Sequence, residues 1–218
     1  MEITWHGLSC FRLTERGQAS VVTDPFDESL GYPPLKVRAD IVTVSHDAPG
    51  HNNVKAVRGV QRTITGPGEY EIGGVFVIGA AMVNPNQRKK DNIVPNVVYV
   101  FDYDGLTVLH LGDLNYVPSQ SEVDQLGAVD VVLVPVGGGN GLDSAKAAEV
   151  ISLLEPSIVI PMHYKTPELN LKLAPVSKFL KEMGVTNPQE EESLKITRSQ
   201  LPEQTQVVVL AHKSQSES

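Results

Sequence analysis

His46, His51, Asp113 and His163 are the residues of this chain best suited to chemistry, because imidazole and carboxylate groups are ligands for a divalent metal ion. His46 and His51 lie on either side of Pro49-Gly50, just after the apolar run Ile41-Val42-Thr43-Val44. Their spacing of five residues sets them about 140° apart on a helix, at roughly 100° per residue, and on opposite faces of a strand. They converge only if the chain bends between them, and Pro-Gly supplies that bend. Alone, this stretch is read as a polar loop with two ordinary histidines. Two further stretches repeat its layout. Leu106-Thr107-Val108-Leu109-His110-Leu111 runs into Gly112-Asp113, and Ser157-Ile158-Val159-Ile160-Pro161-Met162 runs into His163. An apolar strand therefore ends three times in His or Asp. Ligands gather outside the carboxyl ends of strands in α/β folds, so the four residues are expected to share one metal-binding cleft.

The elements that must position them follow from pattern. Short strands are predicted at Glu2 to His6, Cys10 to Thr14 and Ala19 to Thr23, then at Arg62 to Thr65, Glu69 to Ile72 and Val75 to Ala80. Asp27 to Asp40 reads as a loop, and a short helix is expected from Asn53 to Val57. Asp104-Gly105 predicts a hairpin joining Val97 to Tyr103 with Leu106 to Leu111. The second half alternates, with helices at Ser121 to Leu126, Ala145 to Leu154 and Pro175 to Met183, and strands at Asp130 to Val134, Ser157 to Ile160 and Val207 to Ala211. Val136-Gly137-Gly138-Gly139-Asn140-Gly141 follows a strand and precedes a helix. It lacks the Lys-Ser/Thr of a P-loop and the glycine spacing of a dinucleotide fingerprint, which disfavours a phosphate cradle. Arg88-Lys89-Lys90 is read as a solvated loop tip, Asn187 to Ser193 as exposed and acidic, and Lys213 to Ser218 as a frayed tail.

Asp113 in His-Leu-Gly-Asp, His163 in Ile-Pro-Met-His-Tyr and the strand leading to His46 together resemble the metallo-β-lactamase superfamily. The nearest branch is that of the ascorbate-6-phosphate-lactonase-like metal-dependent hydrolases. Ile3-Thr4-Trp5, Ser9-Cys10-Phe11, Thr23-Asp24-Pro25 and Gly66-Pro67-Gly68-Glu69-Tyr70 fit the same branch. The resemblance spans Met1 to about Tyr164 and implies an α/β fold, a four-layer αββα sandwich, as one domain over residues 1–218. It also implies a two-metal site, from which this chain departs. In the family signature His-x-His-x-Asp-His, His46 and His51 are the outer histidines, Ala48 replaces the second His, and Gly50 replaces the Asp. Asn84 falls where a later His is expected, and Gly7-Leu8 stands for an early Gly-His. Carried over, the first metal keeps His46 and Asp113, and the second keeps His51, Asp113 and His163. Gly50 can neither ligate nor accept a proton, which leaves Asp24 and Glu69 as substitutes to inspect. Gly50 is also expected to hold a positive φ that an aspartate would tolerate at a cost.

Two functional readings result. One is a relative of the metal-dependent hydrolases with several ligands lost and little or no activity. The other is a hydrolase with one Zn or Mn ion acting on a small ester, lactone or phosphoester. The partner is then a small-molecule ligand or substrate, with homo-oligomerisation left open. A net charge of −8 argues against a nucleic-acid footprint. The sequence has no apolar run long enough for a membrane span. Cys10, the one cysteine, allows no intramolecular disulfide and is read as a small buried hydrophobe. Together with the lack of a visible secretory leader, it points to the cytoplasm.

Overall fold

The computed structural model describes residues 1–87, 94–188 and 190–212. Arg88-Lys89-Lys90 and the tail Lys213 to Ser218 lie outside the described residues.

Two sheets lie face to face. The first orders its strands Leu194–Lys195, Glu2–Gly7, Cys10–Thr14, Val21–Thr23, Ile41–Thr43 and Arg62–Ile64. The second orders Gln206–Val207, Ile158–Met162, Val131–Pro135, Leu106–His110, Asn96–Tyr103, Val75–Met82 and Gly68–Ile72. Alternation in the first sheet separates two apolar layers, because successive side chains leave a strand on opposite faces. Phe11, Leu13, Val21 and Ile41 join the core between the sheets, while Cys10, Val22 and Val42 point the other way. That outer face is closed by Phe26 and by Leu30, Tyr32, Leu35 and Val37 from the segment predicted as a plain loop. The segment contains a 3₁₀ turn, Glu28–Leu30, and the short strand Val37–Arg38. Helices α1 (Gln120–Leu126), α2 (Ser144–Leu154) and α3 (Val176–Glu182) form the layer beside the second sheet, where Ala147, Val150 and Ile151 of α2 enter the core. The four-layer α/β sandwich is thus present, with short turns doing on one side what helices do on the other.

Each sheet contains a parallel block, and these blocks place the site. Val21–Thr23, Ile41–Thr43 and Arg62–Ile64 run parallel in the first sheet. Leu106–His110, Val131–Pro135 and Ile158–Met162 run parallel in the second. Their carboxyl ends carry Asp24, His46, Asp113, the Gly137–Gly141 turn and His163.

Some predicted elements differ locally. The helix expected from Asn53 is a single 3₁₀ turn, Val54–Ala56, and the Asn53 side chain caps nothing. Six residues after Asn53 lies Gly59 at φ 78, so there is no room for a longer helix. The last strand is split into Gln206–Val207 and Val209–Leu210, and the second piece pairs with Glu190–Glu191 inside the acidic stretch. Cys10 is fully buried, as its apolar surroundings led one to expect.

One side chain ties the sheets together at the end that carries the site. The Tyr99 hydroxyl donates to the carbonyl of Val44 at 2.9 Å and lies 3.3 Å from that of Ile64. Removing it takes this donor from the buried Val44 carbonyl, while the Ile64 carbonyl keeps the Val44 N–H at 2.9 Å; the cost is about 1 kcal/mol. Tyr99→Phe should therefore lower Tm by about 2–4 °C in thermal unfolding. An unchanged Tm would show that this link does not hold the strand ends.

Candidate metal centre

The four predicted site residues do converge. His46 and His51 sit on a double turn in which the Ala48 N–H donates to His46 O at 3.1 Å and the His51 N–H to Ala48 O at 2.8 Å. The bend at Pro49-Gly50 brings the two rings to 4.2 Å between centroids. Both Nε2 atoms face one oxygen, Asp113 Oδ2, at 3.7 Å from His46 and 3.4 Å from His51. His163 follows directly on Ile158–Met162, and its Nδ1 lies 2.5 Å from the other oxygen, Asp113 Oδ1. Asp113 itself is set by a sharp turn. Gly112 has φ +55, and a Cβ there would come within 2.6 Å of Ser45 Cβ, so only glycine serves. The Asp113 N–H donates to Asn96 Oδ1 at 2.8 Å, and Asn96 Nδ2 donates to Leu111 O at 3.0 Å.

Asp24 organises the histidines from behind. It accepts from Ser45 N at 2.7 Å, from Ser45 Oγ at 2.6 Å and from His51 Nδ1 at 2.8 Å. The Ser45 hydroxyl has a single proton and gives it to Asp24. It must therefore accept from His46 Nδ1, 3.0 Å away. Each histidine thus carries its proton on Nδ1 and presents Nε2 to Asp113, an orientation typical of ligating histidines. His110 is a further fixed point: Nε2 lies 2.9 Å from Ser9 O, and Nδ1 accepts the Gly112 N–H at 3.2 Å. Leu8, Asp24 and His163 have positive φ of 48°, 39° and 51°. Such conformations in non-glycine residues are uncommon and cluster at functional sites.

Electrostatics follow from two buried carboxylates sharing one imidazole. Burial pulls the His51 imidazole down, but Asp113 and Asp24 together lift it to about 10. Burial opposes ionisation of Asp113, yet His163 and His51 hold it well below the usual carboxylate range. Burial likewise opposes Asp24, which His51 keeps lowered by charge and hydrogen bond. His46 is depressed by burial and by the neighbouring His51. In this arrangement a proton on His51 supplies the positive charge that the carboxylates demand. A divalent ion would supply the same charge. The Asp113 Oδ1 atom also fits an ion, being buried with no aligned hydrogen bond.

The donor atoms of His46, His51 and Asp113 all lie within 4.8 Å of one another. His46 and His51 both face the same Asp113 oxygen. His163 is not in that group of three; its Nδ1 faces the other Asp113 oxygen, with its ring 5.9 Å from that of His51. Asn84 reaches the site cavity but spends its Nδ2 on Asn115 Oδ1 at 2.9 Å. Gly50 is not among the residues of positive φ, contrary to expectation. A side chain there would meet Leu8, whose Cδ2 would lie 2.7 Å from a Cβ at Gly50 and would have to shift, with Leu30 Cδ1 at 3.3 Å. The two departures at Leu8 and Gly50 are one packing event. Of the proposed substitutes, Asp24 is wholly buried and already bonded. Glu69 is exposed on the edge strand Gly68–Ile72 and does not line the cavity. The supporting roles of Asn96 and His110 had no sequence signal beyond their place one strand-end away from Asp113.

A cavity of about 590 Å³ opens onto His46 and Asp113, walled by Asn84, Asn115 and the Gly138–Gly141 turn.

Known proteins share this architecture. The model of the family described as "Beta-lactamase superfamily domain" matches residues 2–163. A Thermotoga maritima structure, described as a candidate Zn-dependent hydrolase of the metallo-β-lactamase superfamily, is 36% identical, with 96% of this chain and 97% of that chain covered and a TM-score of 0.74. A metal-dependent hydrolase by name from Nitratidesulfovibrio vulgaris is 30% identical over 195 residues, covering 75% of this chain and 80% of its own. Another so named, from Korarchaeum cryptofilum, is 28% identical over 208 residues, covering 85% and 93%.

Two outcomes follow from this geometry. A metal displaces the His51 proton, so zinc binding at pH 7 should release about one proton. Calorimetry in two buffers of different ionisation enthalpy measures this, and no proton release would contradict the charge assignment. The sign for stability is also set. A raised histidine pKa stabilises the metal-free fold fully below its unfolded value, and that stability is lost as pH rises through about 10. The second outcome concerns the packing event. Gly50→Asp alone should destabilise by about 1–3 kcal/mol through overpacking, and Leu8→Ala should relieve it. In a double-mutant cycle of thermal stability the pair should lose less than the sum of the singles. Additive losses would show that Leu8 does not fill the space beside Gly50.

Proposed function

Because the chain belongs to the metallo-β-lactamase superfamily, we propose that it is a metal-dependent hydrolase whose centre holds one divalent ion, zinc by donor type, in place of a pair. The observation that carries this reading is the facing of His46 Nε2 and His51 Nε2 onto one oxygen of Asp113. The hydrolase names of the relatives support it. Two imidazoles and a carboxylate are a catalytic zinc set, in which three protein ligands leave one position open. When bound, such an ion supplies Lewis acidity and brings the pKa of a bound water to about 7. The chain's own residues do the rest. His46, His51 and Asp113 hold the ion, while Asp24 and Ser45 fix the two imidazoles by their Nδ1 atoms. His163, set against Asp113 and outside the ligand group, is placed to hold or move a proton at Nδ1. The substrate class is a small ester, lactone or phosphoester.

The Leu8 side chain lying against Gly50 favours a second reading, in which ligand loss leaves a metal-binding but inactive module. The two readings are separated by experiment. Protein reconstituted with zinc and dialysed should retain about one ion per chain by elemental analysis. It should hydrolyse generic esters or phosphodiesters in a metal-dependent way. His163→Asn should keep the ion and lose about 10²-fold or more in kcat, the usual size of a general acid–base contribution. One ion with no turnover on any such substrate would establish the inactive module. Two tightly held ions would overturn the single-ion centre.

A further inference from the structure

We propose that a row of three arginines, Arg12, Arg38 and Arg58, binds the phosphoryl group of a small soluble ligand, at a second site independent of the metal centre. Arg38 ends the short strand Val37–Arg38, which pairs in parallel with Val57–Arg58, and Arg38 and Arg58 are direct partners in that register. Val37 and Val57 are buried, so alternation along each strand turns both arginines out to solvent. Arg12, from the strand Cys10–Thr14, joins them by donating from Nε to the Arg38 carbonyl at 2.9 Å. Arg38 does not lean away from its partner. Its Cζ and Nε would lie 3.2 Å from a Cβ at Gly59, so the guanidinium rests over the residue that follows Arg58, where a glycine at φ +78 leaves it room. Arg38 precedes the amino end of the strand Ile41–Thr43, whereas His46 follows its carboxyl end. The row and the metal centre therefore occupy opposite ends of the same strand.

Like charges directly opposite on paired strands oppose the pairing, and an anion between them removes that conflict. Among the described residues, Arg12, Arg38 and Arg58 form no ion pair, and beyond the Arg12 Nε bond their guanidiniums make no hydrogen bond. Asp40, two residues beyond Arg38, feels its charge, but the Asp40 carboxylate is taken up by Ser20 N and Oγ and by Gln61 Nε2. Lys36, Arg38, Lys55, Arg58 and Arg62 against Asp40 and Asp47 give residues 36–62 a net charge of +3, in a chain whose net charge is −8. All of that stretch lies within the described residues. A guanidinium carries five N–H donors in a flat fork. Neighbouring forks suit a tetrahedral dianion with oxygens on every side, whereas a carboxylate fills one fork. The row is short, and the acidic remainder of the chain repels a long polyanion, so the matching ligand is small.

The test follows the arginine Nε–H signals of the isotope-labelled full chain by NMR, because these report the row and not the metal centre. Inorganic phosphate and pyrophosphate are titrated at constant ionic strength, with acetate for comparison. The Arg38 and Arg58 signals should shift saturably with both phosphates and show no saturable shift with acetate. Arg38→Gln and Arg58→Gln should each weaken pyrophosphate binding about tenfold, the size of a lost charge-assisted hydrogen bond. Both positions are exposed, and unchanged thermal unfolding shows that the variants keep the fold. Arg198→Gln, at an exposed arginine outside the row, should leave binding unchanged. No shift, a shift that grows without saturating, or binding that survives both substitutions would overturn the site. Two further titrations, with a short single-stranded oligonucleotide and with phosphatidylserine vesicles, read the source of the phosphoryl group. Binding of either through Arg38 and Arg58, at about tenfold higher affinity than pyrophosphate, would overturn the small-ligand assignment. Neither zinc content nor ester turnover enters these readings, so failure here leaves the hydrolase reading standing.

Discussion

Two carboxylates, Asp24 and Asp113, are buried on either side of a single imidazole, and the surrounding structure exists to make that tolerable. A buried charge without partners is prohibitively costly, and burial of a paired one is still expensive. His51 bridges the two through both ring nitrogens, at 2.8 Å to Asp24 and 3.4 Å to Asp113. His46, Ser45 and His163 take the remaining positions around them. Such a cluster is a poor way to stabilise a fold and a good way to hold a divalent cation. The metal-free state holds a proton where the ion would contribute its charge.

Both sheets are committed to this arrangement. Asp24 and His46 come from the carboxyl ends of parallel strands in the first sheet, Asp113 and His163 from those in the second. No single element could supply the four groups, so the site forms only when the sheets dock. The backbone pays locally for the fit: Leu8, Asp24 and His163 occupy the left-handed region, and Gly112 is a position where a side chain would strike Ser45. Leu8 belongs to both sides of the account. Its carbonyl accepts the His163 N–H at 3.0 Å, and its side chain fills the space beside Gly50.

Much of this was legible in the sequence. The three strands that end in His or Asp announced the cleft, and the Pro-Gly bend announced how two histidines five apart could meet. The helices predicted at Ser121 to Leu126, Ala145 to Leu154 and Pro175 to Met183 fall close to their observed bounds. What was hidden depended on contacts between distant segments. Nothing local says that His46 and His51 share one oxygen, because that depends on where the second sheet delivers Asp113. The mutual fit of Leu8 and Gly50 links residues more than forty positions apart and is invisible as a pattern. The covering of the first sheet by Leu30, Tyr32 and Leu35 was read as loop because it has no helical or strand period, although its apolar residues are those of a core layer.

The central claim is that one ion sits where His46, His51 and Asp113 converge. Anomalous diffraction at the zinc edge, from crystals grown with zinc, locates it without reference to activity. The account predicts one strong peak per chain within bonding distance of both Nε2 atoms and an Asp113 oxygen. Two peaks flanking Asp113, or a peak that leaves out His46 or His51, would contradict it.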